Sequence, residues 1–229
     1  MASQALITGL TYDDLACFPD DGLRRELIGG ELIVSPSPQP RHQGSVTELV
    51  GHLWLYSNDH GGVVFCALLD VYFAHDDVVE PDVLYIRPEH LHRIEDRFLR
   101  GAPDIVVEVS SPSTRRTDLG RKLALYERYG VPEYWYVDLK TDAIRVYRLH
   151  NGAYGHPLIL KPGDTLTSPL LPGFAVPIDQ LLCVWKSGSA VGVGLAADDG
   201  PCHDAESPGG QAARPILTSG RVRRRGPVA

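Results

Sequence analysis

The most constraining feature of the sequence is an apolar run with a carboxylate inside it. Residues 104–109 read Asp-Ile-Val-Val-Glu-Val, so Glu108 interrupts the β-branched side chains typical of a buried strand. A carboxylate removed from water is costly unless a charge or a metal ion meets it. Because side chains alternate along a strand, Glu108 lies on the face opposite Ile105 and Val107. The run therefore predicts a buried strand that carries one acid with a specific partner.

Composition indicates one globular domain. The chain has 229 residues, 43% hydrophobic and 22% charged, which is enough for a sizeable core. No run approaches the roughly 18 apolar residues of a membrane helix, and the N-terminus lacks a signal pattern, which predicts a cytoplasmic protein without a membrane partner. Four cysteines without Cys-x-x-Cys spacing predict reduced thiols. The His90-Leu-His92 pair, beside Glu89 and Arg93, favours a solvated surface segment over a metal site.

The composition changes near residue 185. From Lys186 onward Gly, Ala, Ser, Pro and Asp prevail without periodicity, which predicts a domain at 1–185 followed by a disordered tail at 186–229. The tail ends in a basic cluster at 221–225, for which a solvated end is favoured over nonspecific contact with nucleic acid. The net charge of -7 speaks against a general nucleic-acid coat but leaves room for a local basic cleft.

Gly and Pro residues divide the domain into alternating helices and strands. The expected elements are a short helix at 11–15, a hairpin of strands 24–27 and 31–34, a helix at 42–57, strands at 63–73, 81–86 and 104–109, a helix from 117 or 118 to 129, strands at 133–138 and 143–149, and a last hairpin with a loop at 168–177. The order predicts an α/β fold whose core is helix, three strands, helix, strand, with β-hairpins added at both ends.

Two further side chains are candidates to meet Glu108. Asp104 is roughly 13 Å away along the same strand at about 3.3 Å per residue, so a partner acid should come from a neighbouring strand, and Asp82 follows Pro81 at a predicted strand start. Steps of 100° per residue put Lys122 on the inward side of its helix. An exposed pair of Asp118 with Lys122 is the alternative, but it leaves Glu108 and Asp82 unexplained.

Two carboxylates suit Mg²⁺, a hard cation that commonly binds one or two protein carboxylates together with substrate phosphate oxygens. An ammonium nearby can orient the attacking water and offset charge in the transition state. Arg115 and Arg116 lie between Glu108 and Lys122 in the sequence. They are candidates for contacts with flanking phosphates, and an ordinary surface position is an equal alternative.

These residues resemble a known nuclease pattern. Pro81-Asp82, then Glu108-Val-Ser110, then Lys122 in the following helix resembles the PD-(D/E)XK motif in the form whose lysine has moved from the strand to the helix. The wider context resembles the Uma-two family of proposed endonucleases over roughly residues 10–183. It comprises Arg25-Glu-Leu-Ile-Gly-Gly-Glu-Leu32, Ser35-Pro-Ser-Pro-Gln-Pro-Arg-His42, the segment 102–114, and Lys122-x3-Tyr126-x3-Gly130-Val-Pro-Glu-Tyr-Trp135.

The resemblance implies a restriction-endonuclease-like fold, Mg²⁺-dependent (or Mn²⁺-dependent) hydrolysis of DNA phosphodiester bonds, and a homodimer. Asp82, Glu108 and the Val109 carbonyl would bind the metal, and Lys122 would position the attacking water. Glu26 and His42 are implied accessory residues.

The chain departs from the family pattern in the first hairpin, where Arg25 replaces a tyrosine and Gly29 an aspartate. Two alternatives stay open. One is a non-catalytic nucleic-acid-binding or assembly module with the same fold, and the other is a metal-dependent phosphodiesterase acting on RNA or small substrates.

Overall fold

Four α-helices and one 3-10 helix, at Pro88–Arg93, lie in the described part of the chain, which comprises residues 7–19 and 21–182 of a computed structural model. The predicted tail at 186–229 lies outside these residues. The helices are α1 (Tyr12–Leu15), α2 (Pro40–His60), α3, built from the consecutive segments Arg115–Thr117, Asp118–Lys122 in a π-helical turn, and Leu123–Arg128, and α4 (Ile178–Leu181). Within the described range, none of them is long and apolar enough to cross a membrane.

The strands form two larger sheets and a separate hairpin. They are β1 (Arg24–Ile28), β2 (Glu31–Ser35), β3 (Val63–Cys66), β4 (Val71–Ala74), β5 (Asp77–Val79), β6 (Val83–Ile86), β7 (Leu99–Arg100), β8 (Ile105–Val109), β9 (Glu133–Asp138), β10 (Ala143–His150), β11 (Ala153–Tyr154), β12 (Leu158–Leu160), β13 (Thr165–Ser168) and β14 (Leu171–Pro177).

The largest sheet places β8 near its centre. Its order is β11-β10-β9-β8-β6-β3, with β12 also paired to β10. Strand β8 pairs antiparallel with β6 and parallel with β9. Parallel neighbours need a crossover connection, which α3 supplies between β8 and β9. All five residues of β8 are buried, as expected for a strand with neighbours on both sides.

Hydrophobic clusters cover both faces of this sheet. On one face Ile105, Val107 and Val109 pack with Leu49 and Leu53 of α2. On the other face Val106 packs with Leu125 and Tyr126 of α3 and with residues of the smaller sheet. The alternation predicted for 104–109 is therefore present, and Glu108 lies on the face that α3 covers.

The smaller sheet, ordered β2-β1-β5-β4-β7, brings the N-terminal hairpin to this face. The hairpin turns at Gly29 and Gly30, whose φ angles are 60° and 69°. That left-handed backbone favours glycine. Strand β1 thereby lies inside the small sheet, between β2 and β5.

Three expected elements differ from the structure. The single strand expected at 63–73 is two strands, β3 and β4, which belong to different sheets. The helix expected from 117 or 118 begins at Arg115, because Ser111 and Thr114 form a hydrogen-bonded turn just before it. The loop expected at 168–177 contains β14, which pairs with β13.

Candidate active site

Register brings Asp82 and Glu108 together at one end of the central sheet. Val83 of β6 pairs with Val107 of β8, so the residue before β6 lies beside Glu108. Both acids are buried, with relative exposures of 4% for Asp82 and 2% for Glu108. Asp104 lies at the other end of β8, where Arg87 donates to its carboxylate, as the distance argument predicts. The partner acid expected from a neighbouring strand is thus Asp82.

One oxygen of Glu108 is held by α3. Lys122 Nζ donates to Oε1 at 2.9 Å, and the Tyr126 hydroxyl donates to the same oxygen at 2.6 Å. These two residues are one helical turn apart, so they reach the same point on the sheet. Lys122 is 2% exposed and makes its ion pairs with Glu108 and Glu26, not with Asp118. The alternative of an exposed Asp118–Lys122 pair is therefore wrong.

One oxygen of Asp82 is held in the same way from the other side. The Val109 backbone N–H donates to Asp82 Oδ2 at 2.7 Å, and Nε2 of His42 lies 3.2 Å from that oxygen. His42 is in the first turn of α2, which Pro40 begins. Proline suits the first helical position because its missing N–H would have had no partner there. His42 is therefore placed by the start of α2.

Glu26 of β1 joins the cluster through the small sheet. Its Oε1 lies 2.7 Å from Lys122 Nζ and accepts the Glu80 backbone N–H at 2.8 Å. Glu26 is 1% exposed. The structure thus brings together all five side chains that the sequence singled out, Asp82, Glu108, Lys122, Glu26 and His42, with Val109 beside them.

Arg24 is the main residue of the cluster that sequence reasoning missed. Its guanidinium donates to Asp82 Oδ1 at 2.7 Å, to Glu26 Oε1 at 3.2 Å and to Glu108 Oε2 at 3.4 Å. A signal was present, since residues two apart on a strand share a face, and Arg24 is two before Glu26. The hydrogen bond from the Tyr126 hydroxyl to Glu108 was not predicted either.

Electrostatics follow from burial opposed by these cations. Burial and the neighbouring Asp82 raise the pKa of Glu108 above its usual value, despite Lys122. Burial acts on Asp82 in the same direction, but the hydrogen bond from His42 and the charge of Arg24 hold its pKa well below the ordinary range. Arg24 and Lys122 likewise keep the pKa of Glu26 low against its burial. The cluster is therefore an ion network in which each carboxylate depends on the cations.

A pocket of about 440 Å³ opens onto the cluster. Its lining includes Arg24, Pro36, Pro38 and Ser111, together with Asp118 from the π-helical turn of α3. Asp118 Oδ2 is buried and has no hydrogen-bond partner among the described residues. Asp82 and Glu108 also line this pocket, so both acids are reached from it.

The donor set fits a hard divalent cation. Asp82 Oδ1 and Glu108 Oε2 both contact the Arg24 guanidinium, so one oxygen of each acid already faces a common cation. Two carboxylates with a backbone carbonyl and waters match the ligands that Mg²⁺ prefers. Within residues 7–19 and 21–182 there is no group of three His, Cys, Asp or Glu side chains that could hold a metal ion. Any ion at this site therefore depends on the acid pair.

Other predicted positions lie away from the cluster. Arg115 binds Asp138, and Arg116 is exposed. His90 contacts Asp104 at 2.8 Å, whereas His92 is exposed. In the described part of the chain the two cysteines, Cys17 and Cys66, are free thiols. The surface interpretation of the histidine pair thus holds for His92, whereas His90 is partly buried against an acid.

The fold is shared with a solved structure described as a putative nuclease belonging to DUF820, from Anabaena variabilis ATCC 29413. The two chains superpose with a TM-score of 0.64 at 21% sequence identity, over 76% of this chain and 97% of the other. At that identity the likeness shows the mixed α/β fold, as predicted from the sequence. A search of curated proteins found no match.

The family follows from the sequence. The family model Uma2, described as "Putative restriction endonuclease", matches residues 11–179. The chain therefore belongs to the Uma2 family, which confirms the resemblance predicted from its motifs. Membership of this family supports a nuclease, which is a hydrolase of phosphodiester bonds.

Proposed function

We propose that the protein is a Mg²⁺-dependent endonuclease that hydrolyses phosphodiester bonds of DNA. The observation that carries the proposal is that the two oxygens of each acid in the pair have different contacts. One oxygen of Asp82 and one of Glu108 are held by protein donors, while the other two face a single cation. A metal site needs such pre-oriented ligands, because the outer contacts fix their direction.

In this proposal Asp82, Glu108 and the Val109 carbonyl hold Mg²⁺ or Mn²⁺. When bound, the ion supplies Lewis-acid stabilisation of the negative charge that develops on the phosphoryl oxygens. Lys122 positions the water that attacks phosphorus, since its ammonium touches Glu108 at 2.9 Å. Attack by this water breaks one P–O ester bond and leaves a phosphate end and a hydroxyl end.

The remaining residues of the cluster orient these groups. Glu26 contacts Lys122 at 2.7 Å and keeps the ammonium at the site. His42 and the Val109 N–H fix the carboxylate of Asp82, and Tyr126 fixes that of Glu108. Because a hydrogen bond to a charged group is stronger than a neutral one, these contacts hold the acids in one orientation.

The test is nicking of supercoiled plasmid DNA, with the divalent metal as the variable. We expect cleavage with Mg²⁺ or Mn²⁺ and none with EDTA. Glu108→Ala should lower the rate at least about 100-fold, the scale of losing one group that acts on the transition state. The matched control is Glu48→Ala on the exposed face of α2, which should cut like the parent.

The same assay separates the alternatives. DNA binding without turnover, unchanged by Asp82→Ala, would replace the nuclease with a non-catalytic binding or assembly module. Cleavage of RNA or a small phosphodiester, but not of DNA, would keep the metal chemistry and change the substrate. We also infer a homodimer in the cytoplasm, and light scattering of the purified protein directly measures whether it is a dimer.

A further inference from the structure

Arg24 occupies the place toward which the acid pair directs its oxygens. Among the described residues, Asp82 Oδ1 and Glu108 Oε2 have hydrogen bonds to Arg24 alone, whereas the second oxygen of each acid is held by other donors. The guanidinium thus stands where a shared metal ion would contact both acids. A cation cannot bind the same two oxygens while Arg24 keeps them.

The contacts of Arg24 do not satisfy its whole guanidinium group. Its Nε is buried without a hydrogen-bond partner, and its contact with Glu108, at 3.4 Å, is long for an ion pair with a carboxylate. The side chain of Arg24 is 16% exposed, against 3% for that of Lys122, and it lines the pocket. A long side chain of this kind can turn into the pocket without movement of the strand that bears it.

Charge balance favours a divalent ion that takes the place of Arg24 over one that binds beside it. Among the described residues, Glu26, Asp82 and Glu108 in ionised form face Arg24 and Lys122, so these five groups carry a net charge of -1. His42, which contacts Asp82, is left out of this count because it is charged only when protonated. A divalent ion in place of Arg24 makes the cluster neutral. The same ion beside a retained Arg24 would leave it positive in a buried place, which is costly.

We propose that Arg24 is the resident cation of the metal-free site, and that a divalent metal ion displaces its guanidinium into the pocket, where it binds the substrate phosphate. The inference rests on the proposed function for the identity of the phosphate-bearing substrate. The freed guanidinium offers two parallel N–H donors, which match a phosphate better than any point charge does. Metal binding would then expose the residue that captures the substrate.

The first experiment follows Arg24 itself in the full-length parent protein. Arginine labelled with ¹⁵N reports each guanidinium during a Mg²⁺ titration, and the Arg24 signal is assigned as the one lost in Arg24→Lys. We expect this signal to move during the titration. Its midpoint should equal that of Mg²⁺ binding measured by calorimetry on the same protein. The signal of Arg25, paired with Asp21 outside the cluster, should stay in place. Binding of Mg²⁺ without any change at Arg24 would overturn the proposal.

The second experiment compares Arg24→Gln with Arg25→Gln, its neighbour on β1. Arg24→Gln should tighten Mg²⁺ binding by about tenfold or more, because the ion no longer competes with a charged hydrogen-bond donor. It should also raise the KM for plasmid DNA by about tenfold, with a smaller effect on kcat, since one phosphate contact is lost. The two effects have opposite signs, whereas general damage to the site would weaken both. Arg25→Gln should change neither.

The outcomes keep this inference separate from the proposed function. A parent that binds Mg²⁺ and releases Arg24 but cuts no nucleic acid leaves the displacement intact and removes the nuclease. A parent that cuts DNA while Arg24→Gln leaves both the Mg²⁺ affinity and the KM unchanged keeps the nuclease and removes the inference. If Arg24→Gln does not fold, the titration of the parent still decides the displacement.

Discussion

Buried acids in this protein differ in the direction in which their pKa values are shifted. Glu26 and Asp82 contact Arg24 directly, and their pKa values are lowered although both are buried. Asp118 is 2% exposed, and its Oδ2 has no partner in the described range. Burial and the negative charge of Glu108 raise the pKa of Asp118 to about 8. Folding therefore favours the protonated form of Asp118.

The metal-free protein should lose stability as Asp118 is forced to ionise. The folded state keeps the proton up to about pH 8, while the unfolded state releases it near pH 4. Over that range the unfolded state binds fewer protons, so the free energy of unfolding falls as pH rises. Asp118→Asn removes the penalty. We expect its advantage in thermal midpoint over the parent, measured in EDTA, to widen by at least about 4 °C between pH 5 and pH 8.5.

The same substitution at the exposed Asp59 of α2 is the control for this pH series. A gap between Asp118→Asn and the parent that stays constant across the series would show that Asp118 does not titrate in this way. Calorimetric scans in matched buffers give the midpoints.

At the scale of elements, α3 links the nuclease motif to the sheet. Its π-helical turn at Asp118–Lys122 ends on the buried lysine, and helices of this kind often interrupt α-helices at functional positions. Beyond the helix, Gly130 has a φ of 76°, so the chain turns in the left-handed region before entering β9. Gly130 and Pro132 follow the predicted helix end at residue 129 in the order typical of helix termination.

Two glycine substitutions test this reading of α3 with opposite signs. Gly130→Ala puts a side chain at a positive φ and should lower the free energy of unfolding by about 1–2 kcal/mol. Gly120→Ala lies on the exposed side of the π-helical turn, where an added Cβ meets nothing within 4 Å. It should raise the free energy of unfolding by up to about 1 kcal/mol. Urea melts measure both, and equal signs would contradict the assignment.

At the scale of the whole molecule, the central sheet is a layer buried on both faces. The cluster on the α2 face contains Ile105, and the cluster on the α3 face contains Ile86, both fully buried. The catalytic candidates lie where these layers meet, since His42 comes from α2 and Lys122 from α3. The site therefore needs both layers to be folded.

Shortening a core side chain on either face of the sheet should therefore destabilise the same cooperatively folding domain. Ile105→Ala and Ile86→Ala should each cost about 2–5 kcal/mol, the usual range for a large-to-small change in a core. Both should shift one shared transition when it is followed by tryptophan fluorescence and by circular dichroism. Ile159→Ala, at a half-exposed position on β12, should stay within about 0.5 kcal/mol of the parent. Two separate transitions would show that the two layers unfold independently.

The sequence by itself determined the parts that depend on local pattern. Period-two alternation identified the face of Glu108, helical period put Lys122 inward, and ordered motifs identified the family, which the family model confirms. The prediction of a single strand at 63–73 is wrong, because a run of apolar residues does not reveal the point at which the chain leaves one sheet for another.

Only the tertiary structure decided what meets the acids. Arg24 is 58 residues from Asp82 and 84 from Glu108 along the chain, so no local period joins them. Their contact follows from the way the small sheet packs against the large one. The packing of both hydrophobic cores sets that arrangement. A cation seated between two buried acids is a property of that docking, and the chemistry proposed for the site depends on it.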